Sequence, residues 1–334
     1  MNVAVVGCGY WGPNLIRNLG TMGDVQLTVC DLNKERVNKI KAAYPTVKTS
    51  YDFEEVLRDS EITAVVISTP AKTHYELTKR ALEKGKSVLV EKPLAFTSAE
   101  AEELVGLSKK QNKILMVGHT FEYNPAVIKL KEYIDTGELG KVYYAYSSRL
   151  NLGQIREDVN AMWNLAPHDI SILIYLFGSL PQRVSAVGKA FVQNDIEDVV
   201  FVTLEFAGKI MAHVHISWLD PSKIRRMTVV GDKKMVIYDD VDNEARLKIY
   251  DKGITKSPNS DAFGEYFIKL RSGDIYIPKI DLQEPLKIEV SHFIECLKEN
   301  KTPKTDGENG LRVIKTLEAA QYSLKNEGVF VDLK

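Results

Sequence analysis

Five short, almost continuously apolar segments alternate with helix-like segments over the first 120 residues of this 334-residue chain. In order, these segments are NVAVVG, VQLTVCD, ITAVVISTP, SVLVEKP and KILMVGH. Strands that are apolar along their whole length are buried on both faces, as in a parallel sheet covered by helices. The alternation therefore predicts a doubly wound α/β domain over residues 1–120.

The pattern changes after about residue 120. The segment KIMAHVHISW alternates between apolar and polar positions, as a strand with one buried face does. GDKK at 231–234 supplies turn residues between two further strands. These features predict a mostly antiparallel, open sheet in a second α/β domain over residues 121–334, whose C-terminal helix can pack back on the first domain. The residues expected to face the core are Ile210, Ala212, Val214, Ile216 and Trp218.

Charge and composition exclude several classes of partner. The 44 basic and 45 acidic residues leave a net charge of -1, so there is no electrostatic case for nucleic acid or an anionic membrane. No segment approaches the roughly 18 apolar residues of a membrane span, and the N-terminus lacks the basic leader of a signal peptide. The three cysteines lie in no metal-like or CxxC spacing, which indicates a reducing cytoplasm and no metal site.

A glycine motif follows the first predicted strand. GCGYWG at 7–12 has GxGxxG spacing, and Asp31 ends the second strand 19 residues after the last glycine. Between a strand and a helix, this motif is typical of a turn that binds a dinucleotide pyrophosphate. Asp31 would bind the ribose hydroxyls and favour NAD over NADP, although Lys34 and Arg36 lie nearby. The alternative is a glycine turn that binds no ligand and a solvated acid.

Two of the predicted strands end in ionisable residues. Lys92 follows the fourth strand within Glu91-Lys92-Pro93, and His119 follows the fifth. Ligands of open α/β sheets bind outside the carboxyl ends of the strands, so both side chains are candidates. The proline holds Lys92 extended, and a cis Lys92–Pro93 bond would fix its direction differently. Glu91 would position either the lysine or the cofactor ribose.

The second domain contains weaker signals. His168 and Asp169 begin an apolar helix in WNLAPHDISIL, and a lone histidine beside a proline is more often structural than catalytic. Polar stretches at 118–126 and 148–156 leave predicted strands and are expected to reach the same edge of the first sheet.

These motifs together resemble the Gfo/Idh/MocA oxidoreductase family over nearly the whole chain. The matching pieces are VAVVGCGYWG, ISTPAKTHYELTKRALEKGKSVLVEKPLA and HFIECLKENKTPKTDGENG. The ordered set of STP, His74, EKP and the later HD is specific, whereas GxGxxG alone is not. The resemblance implies an NAD-binding Rossmann domain and a C-terminal sheet that commonly forms the subunit interface, hence a homodimer or homotetramer.

Two further stretches, GHTFEYNPAV and RLNLGQIREDVNAMWNLAPHDISIL, are similar to one branch of that family. This branch comprises the UDP-N-acetylglucosaminuronate 3-dehydrogenases of surface-polysaccharide biosynthesis, which oxidise the C3 hydroxyl of the sugar to a ketone. The family's acid–base pair corresponds to Lys92 and His168. Many relatives carry an aspartate four residues before this histidine, where the present chain has Asn164. His168 is favoured as the base and Lys92 as its electrostatic partner, but the two roles can be exchanged.

The expected site residues fall into two groups. Arg149 and Arg156 suit the carboxylate or the diphosphate of such a substrate, with a surface salt bridge as the alternative for each. The expected cofactor contacts are Gly7, Gly9, Tyr10, Trp11, Gly12, Asp31, Ser68, Thr69, Pro70, His74, Glu91, Lys92 and His119. The expected substrate contacts are Lys92, Tyr123, Asn124, Arg149, Asn151, Arg156, Asn164 and His168.

Two other functions stay open at this point. One is an enzyme of the same fold that acts on inositol, a free hexose or another nucleotide sugar, because function depends on the site and not on the fold. The other is a catalytically silent NAD-binding regulator, against which the intact Lys92 and His168 argue.

Overall fold

The computed structural model describes residues 1–153, 155–258 and 266–333. The chain divides into two compact units, which are Met1–Tyr123 with Gln283–Glu318 and Asn124–Leu282 with Ala319–Lys334. The boundary expected from the sequence, after residue 120, assigns residues 283–318 to the second domain. In the structure this returning segment belongs to the first unit instead.

The first unit contains a parallel sheet. Its elements to residue 118 are β1 Asn2–Val6, α1 Gly12–Gly20, β2 Gln26–Cys30, α2 Lys34–Ala43, β3 Lys48–Ser50, α3 Phe53–Arg58, β4 Ile62–Ile67, α4 His74–Glu83, β5 Ser87–Glu91, α5 Ser98–Lys110 and β6 Leu115–Gly118. Within the described residues the sheet has six parallel strands in the order β3-β2-β1-β4-β5-β6. The strand order reverses between β1 and β4, and ligands of doubly wound sheets bind outside the carboxyl ends at this point.

Local sequence signals explain most of these elements. α5 begins at a capping box in which Thr97 accepts the Glu100 backbone N–H and the Glu100 side chain accepts the N-cap N–H. β3 has the sequence Lys-Thr-Ser and two exposed residues. A search for apolar runs therefore finds five strands and misses this short edge strand.

The second unit contains a larger, mixed sheet. Its elements are α6 Pro125–Asp135, β7 Val142–Leu150, α7 Ala161–Phe177, β8 Arg183–Lys189, β9 Val199–Phe206, β10 Ile210–Ser217, β11 Ile224–Gly231, β12 Met235–Asp239, β13 Leu247–Pro258 and β14 Tyr266–Tyr276. In the described chain β7 and β10 pair in parallel, and the other pairings of this sheet are antiparallel. The alternation along β10 is confirmed, since Ala212, Val214 and Ile216 are fully buried and Met211 is 51% exposed.

The chain ends with α8 Pro285–Glu299, α9 Gly307–Lys325 and the short strand β15 Val331–Asp332, which pairs with β8. Within the first unit, Leu286, Val290 and Phe293 of α8 belong to the same buried cluster as Val3 and Leu15. α8 is therefore part of the hydrophobic core of the first unit. No helix in the described part of the chain is long and apolar enough to cross a membrane.

The two sheets confirm the fold class expected from the sequence, an N-terminal doubly wound parallel sheet and a mostly antiparallel open sheet in the second unit.

Candidate functional site

The glycine turn after β1 contains two kinds of glycine. A Cβ on Gly7, whose φ is +101°, would lie 2.7 Å from the Ser68 backbone, and a Cβ on Gly12 would lie 2.0 Å from the Gly7 carbonyl oxygen. Both glycines are therefore required by the packing of the protein itself. At Gly9 the nearest described atom to such a Cβ is a guanidinium nitrogen of Arg36 at 3.9 Å. Gly9 thus leaves room for a group that is not part of the chain, as close approach of a pyrophosphate requires.

The first turn of α1 lies beside this space. Trp11 is the N-cap residue and makes no side-chain capping bond in the described structure, and the first turn contains no acid. The first amides of a helix lack intrahelical partners and carry partial positive charge, so this helix start fits a phosphate. Tyr10 is 95% exposed and Trp11 is 36% exposed, so both expected cofactor contacts are accessible.

Asp31 is held at the end of β2 against the glycine turn. Its Oδ2 accepts the Cys8 backbone N–H at 2.7 Å, and its Oδ1 accepts the Asn33 N–H at 2.8 Å. The Arg36 guanidinium lies 4.0 Å from the same carboxylate. This arrangement fits the ribose-binding acid expected from the sequence, and the residues of the turn as a whole fit NAD.

The loops after β4 and β5 are tied together by His74. Its Nδ1 lies 2.8 Å from the Pro93 carbonyl oxygen, and its Nε2 lies 2.9 Å from the Thr69 carbonyl oxygen. The ring is 1% exposed, and burial lowers its pKa. Both ring nitrogens of His74 therefore face backbone carbonyl groups of the protein, and the neutral ring can donate its one N–H to either of them. Ser68 closes the neighbouring turn by donating to the Gly7 carbonyl at 2.8 Å, and Pro70 precedes a short 3₁₀ turn.

Glu91 and Lys92 lie at the carboxyl end of β5. The Lys92–Pro93 peptide bond is cis. Burial raises the pKa of the Glu91 carboxyl group to about 7, against the opposing effect of the neighbouring Lys92. Glu91 pairs in register with Gly118 of β6. The lysine is thus directly preceded by a carboxyl group whose pKa is raised.

His119 and Glu289 are two further ionisable residues near this strand end. His119 is 1% exposed, and neither ring nitrogen has a hydrogen-bond partner among the described residues. Burial and the nearby charge of Lys92 lower its pKa to about 3. Glu289 of α8 is fully buried and accepts a hydrogen bond from Thr120 at 2.7 Å. Burial and the neighbouring Glu91 raise the Glu289 pKa well above its usual value.

Glu289 was missed by the sequence reasoning. The signal was present, because helical periodicity places this acid on the apolar face of α8 with Leu286, Val290 and Phe293. A carboxyl group on the buried face of a helix is uncommon and indicates a special environment.

In the second unit, His168 and Asn164 lie one turn apart on α7. The neighbouring Asp169 is 3% exposed and accepts a hydrogen bond from Arg149 Nε of β7 at 2.5 Å. Arg149 is 5% exposed, and this ion pair raises its pKa. The arginine is therefore committed to the residue beside His168 and anchors the helix to the sheet.

The loop after β7 approaches Asn164. Asn151 donates its backbone N–H to the Ser217 carbonyl at 3.2 Å, at the end of β10. The next residue of that strand end, Trp218, donates its indole N–H to Asn164 Oδ1 at 3.3 Å. The structure thus brings Asn151 and Asn164 to one end of the second sheet. Gln154, within the polar stretch 148–156, lies outside the described residues.

Three expected substrate contacts have partners within the protein. Tyr123 is 3% exposed and its hydroxyl lies 3.2 Å from that of Thr305. Asn124 is 1% exposed, caps α6 and donates to the Tyr238 hydroxyl at 3.0 Å. Arg156 forms a two-point surface ion pair with Asp158, at 2.8 and 2.7 Å. The side chains of Tyr123 and Asn124 therefore bind other residues of the protein. Arg156 forms a surface salt bridge, which was the alternative to a substrate contact for this residue.

Two family descriptions match the chain. The GFO/IDH/MocA oxidoreductase family with an NAD-binding Rossmann fold matches residues 1–119, and the GFO/IDH/MocA C-terminal domain matches residues 127–237.

Several known proteins are similar over most of the chain. UDP-N-acetylglucosamine 3-dehydrogenase of Acidithiobacillus ferrooxidans is 25% identical over 320 residues, covering 94% of each chain. Its solved structure covers 98% of each chain with a TM-score of 0.81 at 24% identity. A scyllo-inositol 2-dehydrogenase (NAD+) of Bacillus subtilis is 28% identical over 315 residues, covering 90% of this chain and 87% of the relative. Levoglucosan dehydrogenase in complex with NADH has a TM-score of 0.83 at 20% identity, covering 100% of this chain and 99% of that one.

Proposed function

Because the chain belongs to the Gfo/Idh/MocA oxidoreductase family, we propose that it oxidises a secondary hydroxyl of a sugar. The protein is an NAD-dependent oxidoreductase that acts on a CH–OH group. The observation that carries the proposal is the place of Lys92, at the carboxyl end of β5 in the sheet whose glycine turn leaves space at Gly9. A cationic side chain beside a dinucleotide site can stabilise the alkoxide that forms during alcohol oxidation.

The separate roles of the cofactor and of the protein follow from the chemistry of alcohol oxidation. An alcohol loses a hydride from carbon and a proton from oxygen, and bound NAD supplies the hydride acceptor. The chain must therefore place the substrate and take the proton. We assign the proton to His168, whose ordinary pKa of about 6.5 suits a base at neutral pH, and stabilisation of the developing alkoxide to Lys92. The exchanged assignment, with Lys92 as the base, requires a lowered lysine pKa.

The specific substrate that we propose is UDP-N-acetylglucosaminuronate, oxidised at C3 to the 3-keto sugar in surface-polysaccharide biosynthesis. The resemblance of residues 118–127 and 149–173 to that branch supports it. A full-length relative named for 3-dehydrogenation of a UDP-amino sugar supports the nucleotide-sugar class. Arg149 is held in a buried ion pair with Asp169, whereas the ion pair of Arg156 with Asp158 lies at the surface. We therefore propose that Arg156 exchanges this partner for the substrate, and that the polar groups of Asn151 and Asn164 also contact it.

A second candidate is oxidation of an inositol, favoured by the relative of Bacillus subtilis named for that substrate. A free hexose, another nucleotide sugar and a silent NAD-binding regulator are further outcomes of the same experiment. The purified protein is incubated with NAD and, in parallel, with UDP-N-acetylglucosaminuronate, UDP-N-acetylglucosamine, inositols and hexoses. Absorbance of reduced nicotinamide reports turnover, and mass spectrometry reports the keto product. Turnover of an inositol alone would exclude the nucleotide sugar, and no turnover with tight NAD binding would favour the regulator.

Two variants test the assigned residues. Lys92→Met and His168→Asn should each lower kcat by about 100- to 10,000-fold, which is the usual effect of losing one acid–base group. Lys39→Met, at an exposed position of α2, is the matched control and should keep wild-type activity. Near-native turnover in both site variants, with native circular dichroism, would show that the pair is misassigned.

The proposed assembly is a homodimer or homotetramer in the reducing cytoplasm. Its support is one face of the second sheet, on which large side chains are exposed. The exposed fractions are 40% for Tyr144, 43% for Tyr146, 37% for Phe201 and 51% for Met211. Sedimentation analysis of the wild type and of a Met211→Lys variant tests this assignment, because a charge on the shared face should dissociate the assembly.

A further inference from the structure

Two neighbouring strands of the second sheet carry arginines that lie directly opposite each other. Arg225, near the start of β11, pairs in register with Arg149, near the end of β7. Opposite residues of an antiparallel pair point to the same face of the sheet, with Cβ atoms about 5 Å apart. Arg149 is buried, and Asp169 balances its charge at a distance of 2.5 Å. Arg225 therefore adds a further positive charge beside an ion pair that is already neutral.

Arg225 shares its carboxylate partner with a second arginine. Oδ2 of Asp240, the residue after β12, lies 3.4 Å from Arg225 Nη1. Oδ1 of the same carboxylate lies 4.0 Å from Nη1 of Arg246, which precedes β13. Arg246 Nε is buried and has no hydrogen-bond partner among the described residues. One carboxylate thus faces two guanidinium groups, which leaves an excess of one positive charge.

Asp240 is held in place more firmly than Arg225. Its Oδ1 accepts hydrogen bonds from Asn124 Nδ2 at 3.2 Å and from the Tyr238 hydroxyl at 3.1 Å. The Asp240 side chain is 14% exposed, whereas that of Arg225 is 39% exposed. A long ion pair of an accessible arginine contributes little to stability. The Arg225 guanidinium group can therefore turn from Asp240 to a ligand at small cost in free energy.

Arg225 lies at the end of the sheet where the polar loop after β7 begins. Leu150, the last residue of β7, pairs with Ile224, the residue before Arg225. Asn151 follows Leu150 and starts the loop that approaches Asn164. Arg225 is therefore at the same end of the second sheet as the two asparagines that we assign to the substrate.

We propose that Arg225, assisted by Arg246, binds an anionic oxygen group of the substrate. A guanidinium group can donate two parallel hydrogen bonds to a phosphate or to a carboxylate, so both the diphosphate of a nucleotide sugar and the C6 carboxylate of a uronate fit. Arg225 takes the role that the sequence suggested for Arg149, whose charge is balanced within the protein. The identity of the anion as part of a substrate rests on the proposed function, but the anion site itself does not.

Calorimetric titration in the presence of NADH tests this site, because NADH cannot accept a hydride from a bound alcohol. UDP and UDP-N-acetylglucosamine present the diphosphate without a carboxylate, and glucuronate presents the carboxylate without a diphosphate. Arg225→Met should weaken binding of the probe that carries the recognised group by about 10- to 100-fold, the usual effect of losing hydrogen bonds to a charged group.

Arg226→Met is the matched control. Arg226 is the next residue of β11, so its side chain points to the opposite face of the sheet, where it pairs with Asp239 at 2.7 Å. Its replacement should leave the affinity for every probe unchanged. Wild-type affinity for all probes in Arg225→Met, or an equal loss in both variants, would overturn the proposal. So would a wild type that binds none of the probes, even if it oxidises an inositol.

Asp240 provides a test in the opposite direction. Asp240→Asn keeps an oxygen acceptor for the Tyr238 hydroxyl and removes the charge that competes with the ligand, so the same probe should bind about two- to fivefold more tightly. Unchanged or weaker binding in Asp240→Asn would contradict the proposal, and this result decides it if Arg225→Met does not fold. If the wild type oxidises no sugar with NAD, the proposed function fails, while these titrations still decide the role of Arg225.

Discussion

Substitution of the motif glycines by alanine should separate glycines that the fold requires from the glycine that a ligand requires. In Gly12→Ala the new methyl group would lie 2.0 Å from the Gly7 carbonyl oxygen and 3.1 Å from Ser68 Oγ. In Gly9→Ala the nearest described atom is Arg36 Nη1 at 3.9 Å, an ordinary van der Waals distance. The two variants carry the same chemical change three residues apart, so each is the control of the other.

The expected magnitudes differ in both stability and binding. Forcing a methyl group against the backbone should cost Gly12→Ala about 3 kcal/mol, the upper end of the usual range for overpacking, which lowers Tm by roughly 5–10 °C. Gly9 does not have a positive φ, so Gly9→Ala should leave Tm unchanged or slightly raised. The same Gly9→Ala methyl group would meet a pyrophosphate, so NAD affinity should fall about tenfold or more.

The assay combines thermal unfolding of the cofactor-free variants with calorimetric titration of NAD. Wild-type NAD affinity in Gly9→Ala, or an equal loss of Tm in both variants, would refute the argument that Gly9 faces the cofactor.

Three further predictions concern single buried or charged groups. Asp31→Asn keeps an acceptor for the Cys8 N–H and leaves Arg36 in place, so the ratio of kcat/KM for NADP to that for NAD should rise roughly tenfold, equal to about 1.4 kcal/mol. Arg149→Met leaves the buried Asp169 charge unpaired and should cost about 3–5 kcal/mol in urea unfolding, whereas an added Asp169→Leu should recover part of it. Burial raises the folded-state pKa of Glu289, so its stabilising contribution is complete below the unfolded pKa of about 4.3 and is lost as pH rises through the folded value. The new side chain of Glu289→Gln stays neutral and still accepts a hydrogen bond from the Thr120 hydroxyl. The free energy of unfolding, measured at several pH values, should therefore rise in the variant relative to the wild type as pH rises. A difference in unfolding free energy that stays constant with pH would contradict this.

Local patterns account for much of the first unit. Short buried strands need continuous apolar runs, so β1 and β5 can be predicted from the sequence. A helix cap needs a donor and an acceptor within a few residues of each other, so the cap at Thr97 can be predicted as well. β3 cannot be predicted in this way, because its three polar residues show no periodic pattern of apolar and polar positions. The placement of residues 283–318 also has no local signal, since the apolar face of α8 would fit many surfaces.

The sequence by itself determined the parallel α/β architecture, the glycine turn with Asp31, and the position of Lys92 at a strand end. These depend on chain neighbours and on the rule that parallel strands share one ligand-binding edge. The tertiary structure alone decided that a Cβ would have space at Gly9 but not at Gly7 or Gly12, and that both ring nitrogens of His74 face backbone carbonyl groups. It also decided that Arg149 binds Asp169. Each of these contacts joins residues from different strands or helices, and the energy of such contacts depends on burial and distance, which spacing along the chain does not specify.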